Sequence, residues 1–173
     1  IFNNFSETYN FHDVVKEAGV QGFTEPDPKI DLSGVDVARK ILILIRESGY
    51  HMEMEQIENN CFLPDECMQT TNNDDFFTSL IKHENHFNQL LKEAQAKDSR
   101  IKFVASFDNG KAAVGLQFIP KESPFYNLEG KDNIVEFYTD RYVDQPLIIK
   151  GAGAGAAVTA SGIFADVIRI GNV

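Results

Sequence analysis

Between residues 22 and 40 the chain reads GFTEPDPKIDLSGVDVARK, which places Glu25, Asp27, Asp31 and Asp36 close in sequence to Lys40. Carboxylates gathered around one ammonium suit a small molecule with an amino group, and the lysine can then exchange a proton with a hydroxyl or carbonyl oxygen. Asp36 and Lys40 are four residues apart, so on a helix they share a face. On an exposed helix such a pair is an ordinary salt bridge worth about 0.3–0.5 kcal/mol. The flanking residues argue for burial. At the helical repeat Val35, Ala38, Leu42 and Ile45 form one apolar stripe and Val37, Ile41 and Leu44 a second, leaving a narrow polar strip of Asp36, Arg39, Lys40 and Glu47. The reading is a mostly buried helix whose charged pair lines a polar cavity, where a lysine can be tuned toward acid or base work. Glu25, stiffened by Pro26 and Pro28, is expected to point into the same cavity.

Other candidates carry less. GAGAGAA, residues 151–157, fits the G-x-G-x-x-A form of a dinucleotide fingerprint through Gly151, Gly153 and Ala156. Such a unit needs a second strand and an acid about 20 residues further on, and the sequence ends at Val173. What remains is a close-approach turn at a helix start, whose backbone N–H groups could touch a ligand held mainly elsewhere. His83 and His86 lie one turn apart without an evident third ligand, and zinc needs three or four. They read as a solvated helix face, and no metal site is expected. Cys61 and Cys67 lack a second pair for a zinc site or a disulfide framework and read as free thiols of a reducing cytoplasm.

These residues need elements to hold them. Ile1, Phe2, Phe5, Phe11, Val14, Val15 and Ala18 predict two short helices, stopped at Gly19 and Gly22. Residues 21–33, with Pro26 and Pro28, predict a rigid loop free of helix and strand. Residues 33–50 predict a helix capped by Ser33 and stopped at Gly49. A short strand over residues 51–57, a loop over 61–73 and one amphipathic helix over 74–96 follow, the helix burying Phe76, Leu80, Phe87, Leu91 and Ala94. RIKFVASFD and AAVGLQFIP flank Asn109-Gly110, the strongest hairpin signal in the chain. NIVEFYTD and QPLIIK predict two more strands, and a last helix runs over about 156–170. Helices, strand, helix and then several strands indicate an α+β fold, with helices on one face of a mixed, largely antiparallel sheet.

The bulk properties exclude some functions. The chain has 173 residues, 43% of them hydrophobic, enough for the core of one domain. Its net charge is −10, and its 16 Lys and Arg are scattered, so a phosphate backbone is not an expected partner. No apolar run approaches the ~20 residues of a membrane span. With Ile1 first and no initiator Met, the chain reads as a piece of something longer.

Ala18-x-x-x-Gly22-Phe23-Thr24, Glu25-Pro26-Asp27-Pro28, Asp31-Leu32-Ser33-Gly34 and Asp36-Val37-Ala38-Arg39-Lys40 closely resemble the homoserine dehydrogenase signature. The resemblance continues through SPFYNLEGKDNIVEFYTDRY and GAGAGAAVTASGIFADVIRI, and is least distinctive from Cys61 to about Lys97. The TEPDP form resembles bifunctional aspartokinase and homoserine dehydrogenase polypeptides and some stand-alone fungal enzymes. The resemblance implies reversible NAD- or NADP-dependent hydride transfer between L-homoserine and L-aspartate 4-semialdehyde, toward threonine, methionine and isoleucine. It implies that Lys40 is the catalytic lysine, that Glu25 and Asp36 bind substrate with Asp31 in support, and that Gly22 and Gly155 make backbone contacts near the nicotinamide. It implies a fold similar to the C-terminal domain of glyceraldehyde-3-phosphate dehydrogenase, a sheet that helps form a homodimer, and a possible fused aspartokinase domain. Residues 1–173 would then be the catalytic and dimerisation domain of a cytoplasmic enzyme, inactive alone. The main cofactor-binding domain, a second active-site lysine and the usual monovalent-cation site would lie upstream. Two departures stand out: Phe23 where relatives often carry Tyr, and Ile30 where they often carry Asp. The rival reading is a non-catalytic amino-acid-sensing or assembly module with the same fold.

Overall fold

The computed structural model describes residues 1–130, 132–153 and 155–172, which fall into two compact units, Ile1–Ser123 and Pro124–Val173. In the first, residues 1–10 turn instead of forming a helix. The N–H groups of Asn4 and Phe5 donate to the Ile1 carbonyl, and Ser6 Oγ shares a hydrogen bond with Thr8 Oγ1 at 3.0 Å. Short polar side chains offer the backbone such local alternatives to helix, so only the second of the two expected helices forms, α1, Phe11–Val20. Phe5 still reaches the core, edge-on to Phe11 at 5.4 Å between ring centroids.

The expected loop over 21–33 contains a short helix, α2, Pro28–Leu32. Proline in the first helical turn sacrifices no hydrogen bond, and the Asp27 carboxylate accepts from the Lys29 N–H at 3.0 Å as its N-cap. Ser33 then ends α2 and Gly34 takes the cap position of the next helix, α3, Val35–Glu47, while the Val35 N–H still makes a long 3.5 Å hydrogen bond to Ser33 Oγ. Gly34 has φ +82°, and a Cβ there would meet Phe103 Cζ at 2.6 Å and Asn59 Oδ1 at 3.0 Å. Asn59 Nδ2 also donates to the Ser33 carbonyl at 2.8 Å. The α2–α3 joint is thus pressed onto the sheet where only glycine fits.

A single turn of 3₁₀ helix, Met54–Gln56, leads into β1, Ile57–Asn60, slightly later than the expected strand. The loop that follows includes α4, Asp65–Met68. The single helix expected over 74–96 is broken at His83 into α5, Asn73–Lys82, and α6, Glu84–Ala96. Side-chain demands at the break explain it. His83 Nε2 lies 2.9 Å from Glu66 Oε2, while Glu84 accepts the Phe11 N–H at 2.7 Å and lies 3.1 Å from His12 Nδ1, capping α1 from another helix. The expected inner face survives the break, with Phe76, Leu80 and Phe87 at 0% exposure and Ala94 at 2%.

β2, Ser99–Asp108, and β3, Lys111–Pro120, form the expected hairpin, with Asn109 and Gly110 both at positive φ as its tight turn requires. β1 joins β3 in parallel, giving the order β1-β3-β2. Phe103, Ala105 and Phe107 alternate on one face of β2 and pack with helix residues. One core cluster joins Phe5, Phe11, Val15, Leu32, Phe76, Leu80 and Phe87, and a second joins Ala38, Leu42, Ile45, Ile57 and Val114. Phe103 packs against both.

The second unit contains β4, Asp132–Thr139, antiparallel to β5, Tyr142–Ala152, and α7, Ala156–Gly171. The α+β class stands, with the strands divided between two sheets. Among the described residues no helix is long and apolar enough to cross a membrane.

Gly34→Ala should lower folding stability by about 2–4 kcal/mol, from left-handed strain and overpacking against Phe103; chemical denaturation of the polypeptide measures it. Burial pushes the Cys67 thiol up and removes it from solvent, whereas Cys61 is exposed. Alkylation mapped on peptides should therefore label Cys61 in the native protein and Cys67 only in denaturant.

Candidate active site

The stretch from Gly22 to Lys40 spans the end of one helix, a proline-bearing loop and the starts of two more. Past α1 the chain turns at Gly22, φ +72°, whose N–H donates to the Gly19 carbonyl at 3.0 Å, and Phe23 N–H returns to the Ala18 carbonyl at 2.9 Å. These bonds satisfy carbonyls that a helix end leaves without partners. A Cβ at Gly22 would meet nothing within 4 Å, so its backbone is open to an approaching group.

Glu25 is exposed, and its carboxylate has no ion-pair or hydrogen-bond partner among the described residues. Its backbone is held: the Glu25 N–H donates to Asp31 Oδ2 at 2.8 Å. Asp31 thus closes the loop from α2 onto the residue it was expected to support. Two longer ties fix the same loop, Asn73 Nδ2 to the Pro26 carbonyl at 2.7 Å and Lys29 Nζ to the Thr70 carbonyl at 2.5 Å. No local pattern announces them, because their partners lie 47 and 41 residues away in the least distinctive part of the sequence.

Asp36 and Lys40 pair on α3 at 2.8 Å, with side chains 43% and 63% exposed. The expectation of a mostly buried helix is corrected here. Ala38, Leu42 and Ile45 are buried, but Val35, Val37, Ile41 and Leu44 are only partly covered and Ile43 is 60% exposed. Val37 and Ile41 of the second stripe pack against the edge of the core, while Lys40 and Ile43 stay exposed. The pair therefore has the geometry of a surface i,i+4 salt bridge, of small weight for stability, and its charges are accessible to a ligand.

Gly155, at the start of α7 in the second unit, has φ +128° and nothing within 4 Å of a Cβ position. The structure therefore joins Glu25 to Asp31 and Asp36 to Lys40 and leaves open backbone at Gly22 and Gly155.

A separate cleft of about 440 Å³ is lined by Cys61, His83 and His86 over Phe62, Leu90 and Leu116; none of Glu25, Asp31, Asp36 or Lys40 borders it. Nearby, hydrogen bonds from Lys82 and His83 hold the Glu66 carboxyl below its usual range. Among the described residues no three His, Cys, Asp or Glu side chains gather as a metal site.

A family profile described as homoserine dehydrogenase matches residues 1–168. The chain is 42% identical over 174 residues to a chloroplastic bifunctional aspartokinase/homoserine dehydrogenase 1 of Zea mays, covering 99% of this chain and 19% of that protein. It is 39% identical to a homoserine dehydrogenase of Schizosaccharomyces pombe, covering 98% of this chain and 47% of that one. The chain thus spans about a fifth of the maize protein's length and about half of the yeast protein's. Among solved structures, a Candida auris protein of unknown function superposes with a TM-score of 0.86 at 36% identity, over 98% of this chain and 48% of that one. A Staphylococcus aureus homoserine dehydrogenase superposes with a TM-score of 0.71 over 98% of this chain and 39% of that one. Its identity of 22% makes it a likeness of fold.

Because the Asp36–Lys40 pair is exposed, Lys40→Ala should shift stability by less than about 1 kcal/mol. A thermal or denaturant midpoint close to that of the unchanged protein is the expected result.

Proposed function

This chain belongs to the homoserine dehydrogenase family, and on that premise we propose that it supplies the substrate-binding and catalytic part of an enzyme interconverting L-homoserine and L-aspartate 4-semialdehyde. The observation that carries the reading is the ammonium of Lys40, held 2.8 Å from Asp36 on an accessible helix face. Stability does not call for that pair, whereas proton exchange with a substrate oxygen does.

Lys40 contacts the substrate's side-chain oxygen in this reading. In the oxidising direction Lys40, as the neutral amine, takes the hydroxyl proton while the hydride leaves the carbon bearing that hydroxyl and the alcohol becomes an aldehyde, and in the reducing direction its ammonium returns that proton. Asp36 orients the ammonium through the ion pair and adds negative charge for the substrate's amino group. Glu25 offers its unpaired carboxylate to the same amino group, and Asp31 fixes the Glu25 backbone. NAD or NADP, when bound, accepts or supplies the hydride. Each of two backbone positions supports a close approach by such a group: Gly22 leaves open space where a Cβ would project, and within its own unit so does Gly155. Under this proposal the main cofactor-binding domain belongs to the rest of the enzyme, and residues 1–173 alone do not turn over substrate.

Assembly as a homodimer is part of the proposal, supported by the apolar surface of the second unit. Leu147, Ile148 and Ile149 on β5 and Ile163, Phe164 and Val167 on α7 are all exposed, and a surface of that kind marks an interaction site. A fused aspartokinase domain is supported by the bifunctional relatives. The two free thiols are compatible with a reducing compartment, and the cytoplasm is the proposed location.

In the full-length polypeptide, Lys40→Ala should lower kcat for homoserine oxidation by about 10²- to 10⁴-fold. Glu25→Gln should raise the homoserine KM by about tenfold or more through loss of a charged hydrogen bond. Cofactor reduction followed by absorbance measures both. Full-rate turnover with Lys40→Ala rejects its role, and an inactive full-length protein favours the sensing or assembly module.

A further inference from the structure

Glu25 sits on an exposed loop, yet a group that fixes a substrate's orientation must itself be fixed within a fraction of an ångström. The Glu25 carboxylate contributes nothing to that, since it has no partner among the described residues. Its backbone is tied on the upstream side by the Asp31 carboxylate, 2.8 Å from the Glu25 N–H. On the downstream side stands Pro26, whose ring fixes its own φ, and whose carbonyl accepts from Asn73 Nδ2 at 2.7 Å.

Asn73 is a firm anchor. It is the first residue of α5, a helix nailed into the core by Phe76 and Leu80, both at 0% exposure. The capping belongs to its neighbour: Asn72 Oδ1 accepts from the Asp75 N–H at 2.8 Å, so the Asn73 side chain is free to serve the loop. The adjacent tie from Lys29 Nζ to the Thr70 carbonyl brings the start of α2 onto the same turn before α5. Thr70 is itself pinned by its Oγ1 to the Cys67 carbonyl at 2.8 Å.

We propose that Asn73 is a positioning residue for substrate recognition: its amide holds the Pro26 carbonyl and thereby sets the Glu25 carboxylate where the substrate's ammonium binds. The inference rests on the assignment of Glu25 to that ammonium. Asn73 touches neither substrate nor cofactor and acts through the loop alone.

The test is steady-state kinetics on the full-length polypeptide with Asn73→Ala, Asn73→Asp, Glu25→Gln and the double variant Glu25→Gln/Asn73→Ala. Loss of one neutral hydrogen bond should raise the homoserine KM about three- to tenfold in Asn73→Ala, with kcat within about twofold and the melting temperature unchanged. Asn73→Asp should behave alike: the carboxylate cannot donate to the Pro26 carbonyl, while a negative charge at a helix start favours the fold. That added charge by itself would attract an ammonium, so a raised KM reports the lost tie. In the double variant Asn73→Ala should add little to Glu25→Gln, because the two act through one contact. An unchanged KM in Asn73→Ala beside a raised one in Glu25→Gln overturns the positioning role and leaves the Glu25 assignment standing. Fully additive effects also overturn it. An unchanged KM in Glu25→Gln sinks the Glu25 assignment itself, and the role of Asn73 with it.

Discussion

The first unit turns on one steric constraint, the contact of Gly34 with Phe103. A Cβ at residue 34 would lie 2.6 Å from the ring, and the backbone there is left-handed, so the chain can pass from α2 into α3 only because the side chain is absent. Phe103 in turn packs against both core clusters. The joint therefore sets where α2, which carries Asp31, ends and where α3, which carries Asp36 and Lys40, begins. Asn59 reinforces it by donating from β1 to the Ser33 carbonyl.

Around that joint, the residues that build the fold are kept apart from those proposed to meet a ligand. Leu32, Ala38, Leu42 and Ile45 are buried, whereas Glu25, Asp36 and Lys40 hold their charges in solvent reach. An exposed ion pair gives the fold little, which leaves its residues open to selection for chemistry. The ties that hold Glu25 end on the backbone, at Glu25 N–H and the Pro26 carbonyl, and leave its carboxylate unengaged. Rigid backbone with an unpaired carboxylate is the arrangement expected of a recognition group.

Much of this was legible in the sequence where the signal is local. Asn109-Gly110 marked the hairpin, the apolar repeat marked α3, and the glycine-rich turn of residues 151–157 marked the entry to α7. Misreadings arose where a nonlocal or competing interaction decides. Pro28 looked like a breaker but starts a helix, because Asp27 caps it. The apolar repeat continues through residue 83, yet Glu84 is drawn to the N–H of Phe11 and the helix breaks. Two apolar stripes on α3 suggested full burial, while Val35, Val37, Ile41 and Leu44 are only partly covered because they lie at the edge of the core. For the site, the run from Glu25 to Lys40 displayed its carboxylates and lysine openly, but Thr70 and Asn73 were invisible because hydrogen bonds across more than 40 residues leave no periodic trace.

The central claim is that Lys40 meets the reacting oxygen while Glu25 meets the amino group. A crystal structure of the full-length polypeptide with L-homoserine and the oxidised cofactor tests it most directly. The account predicts Lys40 Nζ within about 3.2 Å of the substrate hydroxyl and a Glu25 carboxylate oxygen at hydrogen-bond distance from the substrate ammonium. Homoserine bound with its hydroxyl turned away from Lys40, or bound at a site that includes neither residue, would contradict it.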